Sequence, residues 1–229
     1  MAEKRVWVTQ SWDDGVEDDP RLIELLRRHG ARGAFNLNAG LHGKARGGEW
    51  IHKGKTVRRL ALGELREIYD AYEGAEVANH SLKHPWLTRV SPEEARRDIS
   101  DGRKALEDLF QRPVTGFAYP YADHNAEVRR MVRETGHAYA RATVVAGVSW
   151  PPADAMEWHP QVSFKSPDFW AEFERAAVEG GVFCLMGHSY EFLDEAMWRD
   201  FDAKLARLSA DPRVRWATPR EVFAAAPAA

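Results

Sequence analysis

Asp13 and Asp14 stand side by side between Trp12 and Gly15, just after the alternating segment Arg5-Val6-Trp7-Val8-Thr9-Gln10. Two carboxylates at the mouth of a buried strand repel each other, and each resists leaving water. A bound dication would offset the repulsion and let one carboxylate ligate while its neighbour stays free as a base. His80 and His84, in Asn79-His80-Ser81-Leu82-Lys83-His84-Pro85, have the spacing that puts two imidazoles on one face of a helical turn. Pro85 disfavours helix at His84, so the turn should be brief and sit at the C-terminal end of a strand. The spacing alone suits two metal ligands or two capping or core histidines. With one carboxylate the pair would form a facial His₂-carboxylate set that leaves room for water and substrate.

These residues need elements that bring them together, and the chain supplies a regular alternation. After the first strand, Asp19-Pro20 marks a helix start, Leu22, Ile23, Leu25 and Leu26 give it an apolar face, and Gly30 ends it. Gly33–Leu37 reads as a strand, 60–72 as a helix and Glu76–Asn79 as a strand. Ser91-Pro92-Glu93-Glu94 is a capping box opening a long helix through Phe110. Gly116–Tyr119 is extended, Asn125 caps a helix ending at Gly136, and Tyr139–Val145 offers a further strand. A helix from Ser166-Pro167 stops at Gly180-Gly181, followed by the strand Val182–Met186, a helix over 195–209, Val214–Trp216, and a short helix after Pro219. Six or seven strand–helix units in series predict an α/β fold with a mostly parallel sheet, closed into a distorted (β/α)-barrel of about seven units. The open doubly wound sheet is the alternative, but no Gly-rich phosphate turn follows any strand.

In a parallel barrel all strand ends point to one mouth. Asp13 and Asp14 follow the first strand, His80 and Tyr121 follow later ones, and His188 follows the Val182–Met186 run. The sequence here resembles a known family. Ser11-Trp12-Asp13-Asp14-Gly15 is similar to the first motif of the polysaccharide deacetylases (the NodB-homology or carbohydrate esterase family 4 group), usually T-F-D-D-G. His80-Ser81-Leu82-Lys83-His84 resembles the second, H-S/T-x-x-H, Phe117-Ala118-Tyr119-Pro120-Tyr121 the third, and Leu185-Met186-Gly187-His188 the fifth. The matches lie in family order across residues 6–190.

The resemblance implies one polysaccharide-deacetylase-like catalytic domain over residues 1–229. It implies a divalent metal on Asp14, His80 and His84, with zinc foremost and cobalt, manganese, iron or nickel fitting the same donors. It makes Asp13 the base, His188 the acid, and the backbone N–H of Tyr121 an oxyanion donor. The implied reaction removes an N-acyl group from an amino sugar, by the water activation and carbonyl polarisation that such an ion provides. Tyr119, Pro120, Trp86, His124 and Trp158 are the candidate substrate contacts, with helix capping the alternative for His124 and core packing the alternative for the tryptophans. Two departures mark a divergent subgroup. Ala118 stands where the third motif often has an arginine that orients the catalytic aspartate. In the fourth motif's interval, Asp154 and Trp158-His159-Pro160 give no clear partner for His188. Two alternatives stay open: a hydrolase of a non-sugar linear or cyclic amide on the same fold, and a carbohydrate-binding member without activity.

The remaining signals bound the surroundings. Residues 40–59 read as a long Gly-rich loop carrying Lys44, Arg46, Lys53, Lys55, Arg58 and Arg59 against Glu49. That composition suits either a lid favouring an anionic sugar or a solvated insertion. A net charge of −3, without a basic groove, gives no basis for nucleic acid or anionic lipid as partner. Cys184, the only cysteine, sits in an apolar run and excludes both a disulfide and a thiolate cluster. No stretch has transmembrane length, and Met1–Lys4 lacks an apolar signal region, so the expected compartment is the cytoplasm.

Overall fold

The structure, a computed structural model, describes residues 5–225. The expectation attached to Met1–Lys4 lies outside the described residues. In chain order the elements are β1 (Val6–Asp13), α1 (Asp19–Arg28), β2 (Gly33–Leu37), β3 (Gly47–His52), β4 (Lys55–Arg59), α2 (Leu62–Asp70) and β5 (Ala75–Asn79). There follow α3 (Pro92–Phe110), β6 (Gly116–Ala118), α4 (Ala126–Glu134), β7 (Tyr139–Arg141), β8 (Val162–Ser163) and α5 (Phe169–Glu179). The chain continues through β9 (Val182–Gly187), α6 (Glu195–Ala210), β10 (Val214–Trp216) and α7 (Pro219–Ala225).

Seven parallel strands run in the order β7-β6-β5-β2-β1-β9-β8. β10 pairs with the first half of β1, at Val6–Val8, and β2 takes over from Ser11 to Asp13. The free edges of β7 and β8 are joined only through the segment before β8. There Trp158 bridges to Arg141, donating its N–H to the Ala140 carbonyl at 2.9 Å and accepting from the Ala142 N–H at 2.7 Å. The result is the distorted (β/α)-barrel expected from the alternation, with its seam at β7/β8.

The period-2 alternation of the strands divides the residues between two environments. Outward-facing Phe35, Leu37 and Val77 pack with Leu22, Leu25 and Leu26 of α1 and with Leu65 and Tyr69 of α2. Phe183 and Leu185 belong to the same cluster, with Phe173 of α5 and Phe201 and Leu205 of α6. Fully burying one such side chain is worth about 1.5–3 kcal/mol, so this shell holds the barrel together. A second cluster joins Ile99 of α3 and Val128, Met131 and Val132 of α4 to Phe117 and Ala140. Residues of the other parity include a buried polar or small set, Ser11, Asp13, Asn36, Glu76, Ala118 and Arg141, alongside Tyr139, Val182 and Cys184 of a third cluster.

Three expectations change. β1 runs on to Asp13, so the first aspartate is a strand residue, whereas the strand expected over Tyr139–Val145 stops at Arg141. Residues 40–59 are not a Gly-rich loop. They form a short 3-10 turn at Ala39–Leu41 and an antiparallel hairpin of β3 and β4. Four of the hairpin region's cations are also engaged: Arg46 with Glu64, Lys55 with Asp18, Arg58 with Glu49, and Arg59 with Asp14. Of the six cations between residues 40 and 59, Lys44 and Lys53 alone are outside the ion pairs seen among the described residues, which removes most of the free positive charge that an anion-selective lid requires.

Candidate active site

Asp13 is the last residue of β1 and points into the barrel, and Asp14 turns out of the strand with φ +87°. Gly15 follows at φ +69°, where a Cβ would lie 2.6 Å from the His42 ring, so both the backbone and the space require glycine. His80 follows β5, but no helix forms at 80–84. The two histidines meet instead through a tight turn in which Ser81 and His84 both have positive φ. Ser81 Oγ accepts from the His84 N–H at 3.0 Å, and Asp98 of α3 accepts from the N–H groups of Leu82 and Lys83. Of the seven non-glycine residues with positive φ among the described residues, Asp14, Ser81, His84, Tyr121 and Ala122 cluster at these strand ends. Such concentrated backbone strain is characteristic of a site whose geometry the surrounding fold imposes.

Donor atoms of Asp14, His80 and His84 all lie within 4.8 Å of one another. His80 Nδ1 sits 2.7 Å from the Ala118 carbonyl, which fixes its proton there and turns the Nε2 lone pair toward His84 Nε2, 3.1 Å away. Two imidazole nitrogens facing each other at this distance with a carboxylate alongside are a donor set for one cation. Burial drives both rings toward the neutral form that a cation needs: the His80 pKa is lowered, and that of His84 is pushed down to about 4. These residues therefore fit a divalent ion of the zinc type.

Asp13 stays outside this set. Burial alone would raise its pKa, but Arg141, His80 and His188 reverse that and hold the carboxyl below the usual carboxylate range. Arg141 reaches it from β7, donating through one guanidinium nitrogen to both Asp13 oxygens, while Asn36 Nδ2 donates to Oδ1 at 2.7 Å. Arg141 is itself buried, with Nε on Ser11 Oγ at 3.2 Å. Thus the arginine absent at position 118 is provided from the next strand. A lone arginine on a three-residue strand gave no signal of this. Its parity with Tyr139, which also faces inward, was the one available clue.

His188 follows β9, with Nε2 3.7 Å from Asp13 Oδ2 and 3.9 Å from Asp14 Oδ2. Its pKa is raised: burial opposes the charge, but Glu191, Asp13 and Asp14 outweigh it. Glu191, three residues on, faces Nδ1 at 3.4 Å and was not singled out by the motifs. Asp154 takes no part, being paired with Arg133 at 2.7 Å. Arg59 of β4 donates to the Asp14 carbonyl at 2.8 Å. Trp50 and His52 of β3 pack on Tyr190, whose ring lies 4.9 Å from that of His188. The hairpin thus forms one wall of the site.

The expected substrate contacts divide. Tyr121 is 53% exposed, with its ring 4.4 Å from His84 and stacked on Trp86 at 4.2 Å. Trp86 also carries Arg89 at 4.1 Å, so its two faces are covered and its rim is what solvent reaches. Tyr119, Pro120 and Trp158 are corrections, because all three are buried. Tyr119 packs among α4 residues and donates to the Met156 carbonyl at 2.8 Å. Trp158, 3% exposed, packs on Tyr139, Trp150 and Phe223. A ring without accessible surface cannot stack on a sugar. His124 is tied to Glu157 at 3.0 Å and stacked on the buried Tyr119 ring, so both its ring and one nitrogen are already engaged.

The barrel and the cluster at its strand ends can be set beside known proteins. A family profile described as polysaccharide deacetylase matches residues 1–140, more than half of the chain, which therefore belongs to that family. The peptidoglycan-N-acetylglucosamine deacetylase of Bacillus cereus is 26% identical over 137 residues, covering 59% of this chain and 54% of that protein. The chain spans about half or less of the length of the curated relatives it matches. Among solved structures, a Mycobacterium smegmatis protein assigned by its name to the polysaccharide deacetylases has a TM-score of 0.70 at 16% identity, covering 97% of this chain and 90% of its own. The family 4 carbohydrate esterase of Streptomyces lividans, in complex with acetate, gives a TM-score of 0.58 at 17% identity, with 93% of both chains covered. At these identities the structural likeness establishes the fold.

Proposed function

We propose that the chain is a metal-dependent N-deacetylase that hydrolyses the acetamido group of an amino sugar, with residues 1–229 acting as one catalytic domain. The observation that carries this is the separation of roles among neighbouring carboxylates. Asp14 shares a donor set with His80 and His84, while Asp13, beside it, is bound to Arg141 and Asn36. The names of the Bacillus cereus and Streptomyces lividans relatives support an acetyl group on a saccharide.

A divalent ion on Asp14, His80 and His84 supplies, when bound, the Lewis acidity that activates water and polarises the acyl carbonyl. Asp13 takes the proton lost by the attacking water. Arg141 and Asn36 keep it ionised and fix its direction, and a base held in place spares the reorganisation that a free carboxylate would need. The Tyr121 backbone N–H, in the 3-10 turn after β6, donates to the oxyanion. His188 gives a proton to the departing nitrogen, which an amide requires because an amine anion is a poor leaving group. The exposed Tyr121 ring and the rim of Trp86 offer apolar contact to the C–H face of a sugar.

The test is acetate release from a panel of N-acetylated amino sugars and their oligomers. At least one member should be cleaved, and Asp13→Asn should abolish the release while the protein stays folded. No release from any member by the metal-loaded protein would refute the activity.

A further inference from the structure

The turn after β9 carries a group for which the proposed chemistry has so far given no role. Glu191 Oε2 accepts from the His188 backbone N–H at 3.1 Å and faces His188 Nδ1 at 3.4 Å. Its other oxygen, Oε1, is held by Lys165, which follows β8. Tyr190 covers one side of the imidazole, and Trp50 and His52 hold Tyr190 in turn. The ring is therefore confined on the side away from the carboxylates, and only Nε2 is directed at Asp13 and Asp14. A histidine whose Nδ1–H donates to a carboxylate is fixed in tautomer and in orientation, so the other nitrogen presents its proton in one direction.

We propose that Glu191, tethered by Lys165, is the positioning residue that aims His188 Nε2 at the leaving nitrogen, replacing the partner that the interval around Asp154 fails to provide. This rests on the deacetylase activity proposed above. The competing explanation is that Glu191 only caps the short turn Ser189–Glu191 through the His188 N–H. The two differ in what they predict for the leaving group. An amide needs the proton that His188 delivers, whereas an activated ester such as 4-nitrophenyl acetate leaves without one.

The experiment compares zinc-loaded wild type, Glu191→Gln and Lys165→Met on an N-acetylated amino sugar and on 4-nitrophenyl acetate. Glutamine keeps the shape and an acceptor for the cap but loses the charge. Amide kcat should fall about 10–100-fold in Glu191→Gln, the scale seen when a partner that orients a metal-bound imidazole is removed, with KM and ester turnover little changed. Lys165→Met should shift the same ratio by a smaller factor. Amide and ester rates falling in parallel, or an unaltered amide rate, would overturn the proposal. Nitrogen-15 NMR of the histidine rings adds a readout independent of activity. The wild type should show His188 protonated at Nδ1 in a protected hydrogen bond, and folded Glu191→Ala should lose that signal. Its persistence in Glu191→Ala also overturns the proposal. If the wild type cleaves neither compound, the activity falls on its own, and the ring signal still decides whether Glu191 holds His188.

Discussion

Arg141 and Asp13 form a pair of opposite charges with almost no exposure, and the energetics of such pairs are asymmetric. Removing one partner strands the other in a medium that cannot solvate it, at a cost of about 3–5 kcal/mol, while replacing both is often nearly neutral. Arg141→Met should therefore lower unfolding free energy by about 3–5 kcal/mol in a denaturant titration, and Asp13→Asn with Arg141→Met should recover most of it. A double variant as unstable as the single one would show that the pair is not what holds Arg141 in place. At this scale the sequence was legible only where residues fall into spaced patterns. Asp13, Asp14, His80, His84 and His188 stood out by type and position. Arg141 did not, because its partner is distant in sequence and a single arginine on a short strand resembles any surface cation. Tyr119 and Trp158 misled because an aromatic residue near a motif looks the same in sequence whether it faces the mouth or the helices.

At the scale of elements, the segments after the strands decide the geometry. Asp19, the first residue of α1, is buried between Tyr69 of α2 and Ser189 of the turn that follows His188, and it accepts from both hydroxyls. Burial raises its pKa to about 7, against the opposing pull of those two hydrogen bonds. The unfolded value is near 3.8, so the folded state holds the proton more tightly. Stability is therefore greatest below pH 3.8 as far as this group is concerned, and its contribution is lost as pH rises through about 7. Asp19→Asn should flatten the pH dependence of unfolding free energy between those limits; an unchanged slope would contradict the assignment. Helices and caps such as Ser91–Glu94 were legible because their signals are local. The turn joining His80 to His84 was not, since Asp98 of α3 supplies the hydrogen bonds that replace the expected helical turn. The β3–β4 hairpin was hidden for a related reason. Its inner face packs on Tyr190, far away in sequence, so its residues show little apolar alternation.

Across the whole molecule, the fold is a parallel barrel whose outward faces meet helices and whose inward faces run from a closed floor to a polar mouth. The alternation of strands and helices made the architecture legible, because each crossover is local even though the barrel is not. The seam at β7/β8 was less so: β8 is two residues long, and the Trp158 bridge that spans the gap leaves no periodic trace. Near the floor, Tyr139 donates to buried Glu76 at 2.8 Å and lies over Gly116, where an added Cβ would meet its hydroxyl at 2.2 Å. Gly116→Ala should overpack this point and cost about 1–3 kcal/mol on unfolding, with no direct effect on the mouth. Unaltered stability would mean that the floor can yield. Among the described residues no helix is long and apolar enough to cross a membrane.

One cation should bind where β1 and β5 end, with Asp13 left unligated beside it. Calorimetric titration of zinc into chelator-stripped protein tests this directly. About one site per chain is expected, retained in Asp13→Asn and lost in Asp14→Ala and in the His80→Ala/His84→Ala variant. Undiminished binding in those two ligand variants would contradict it.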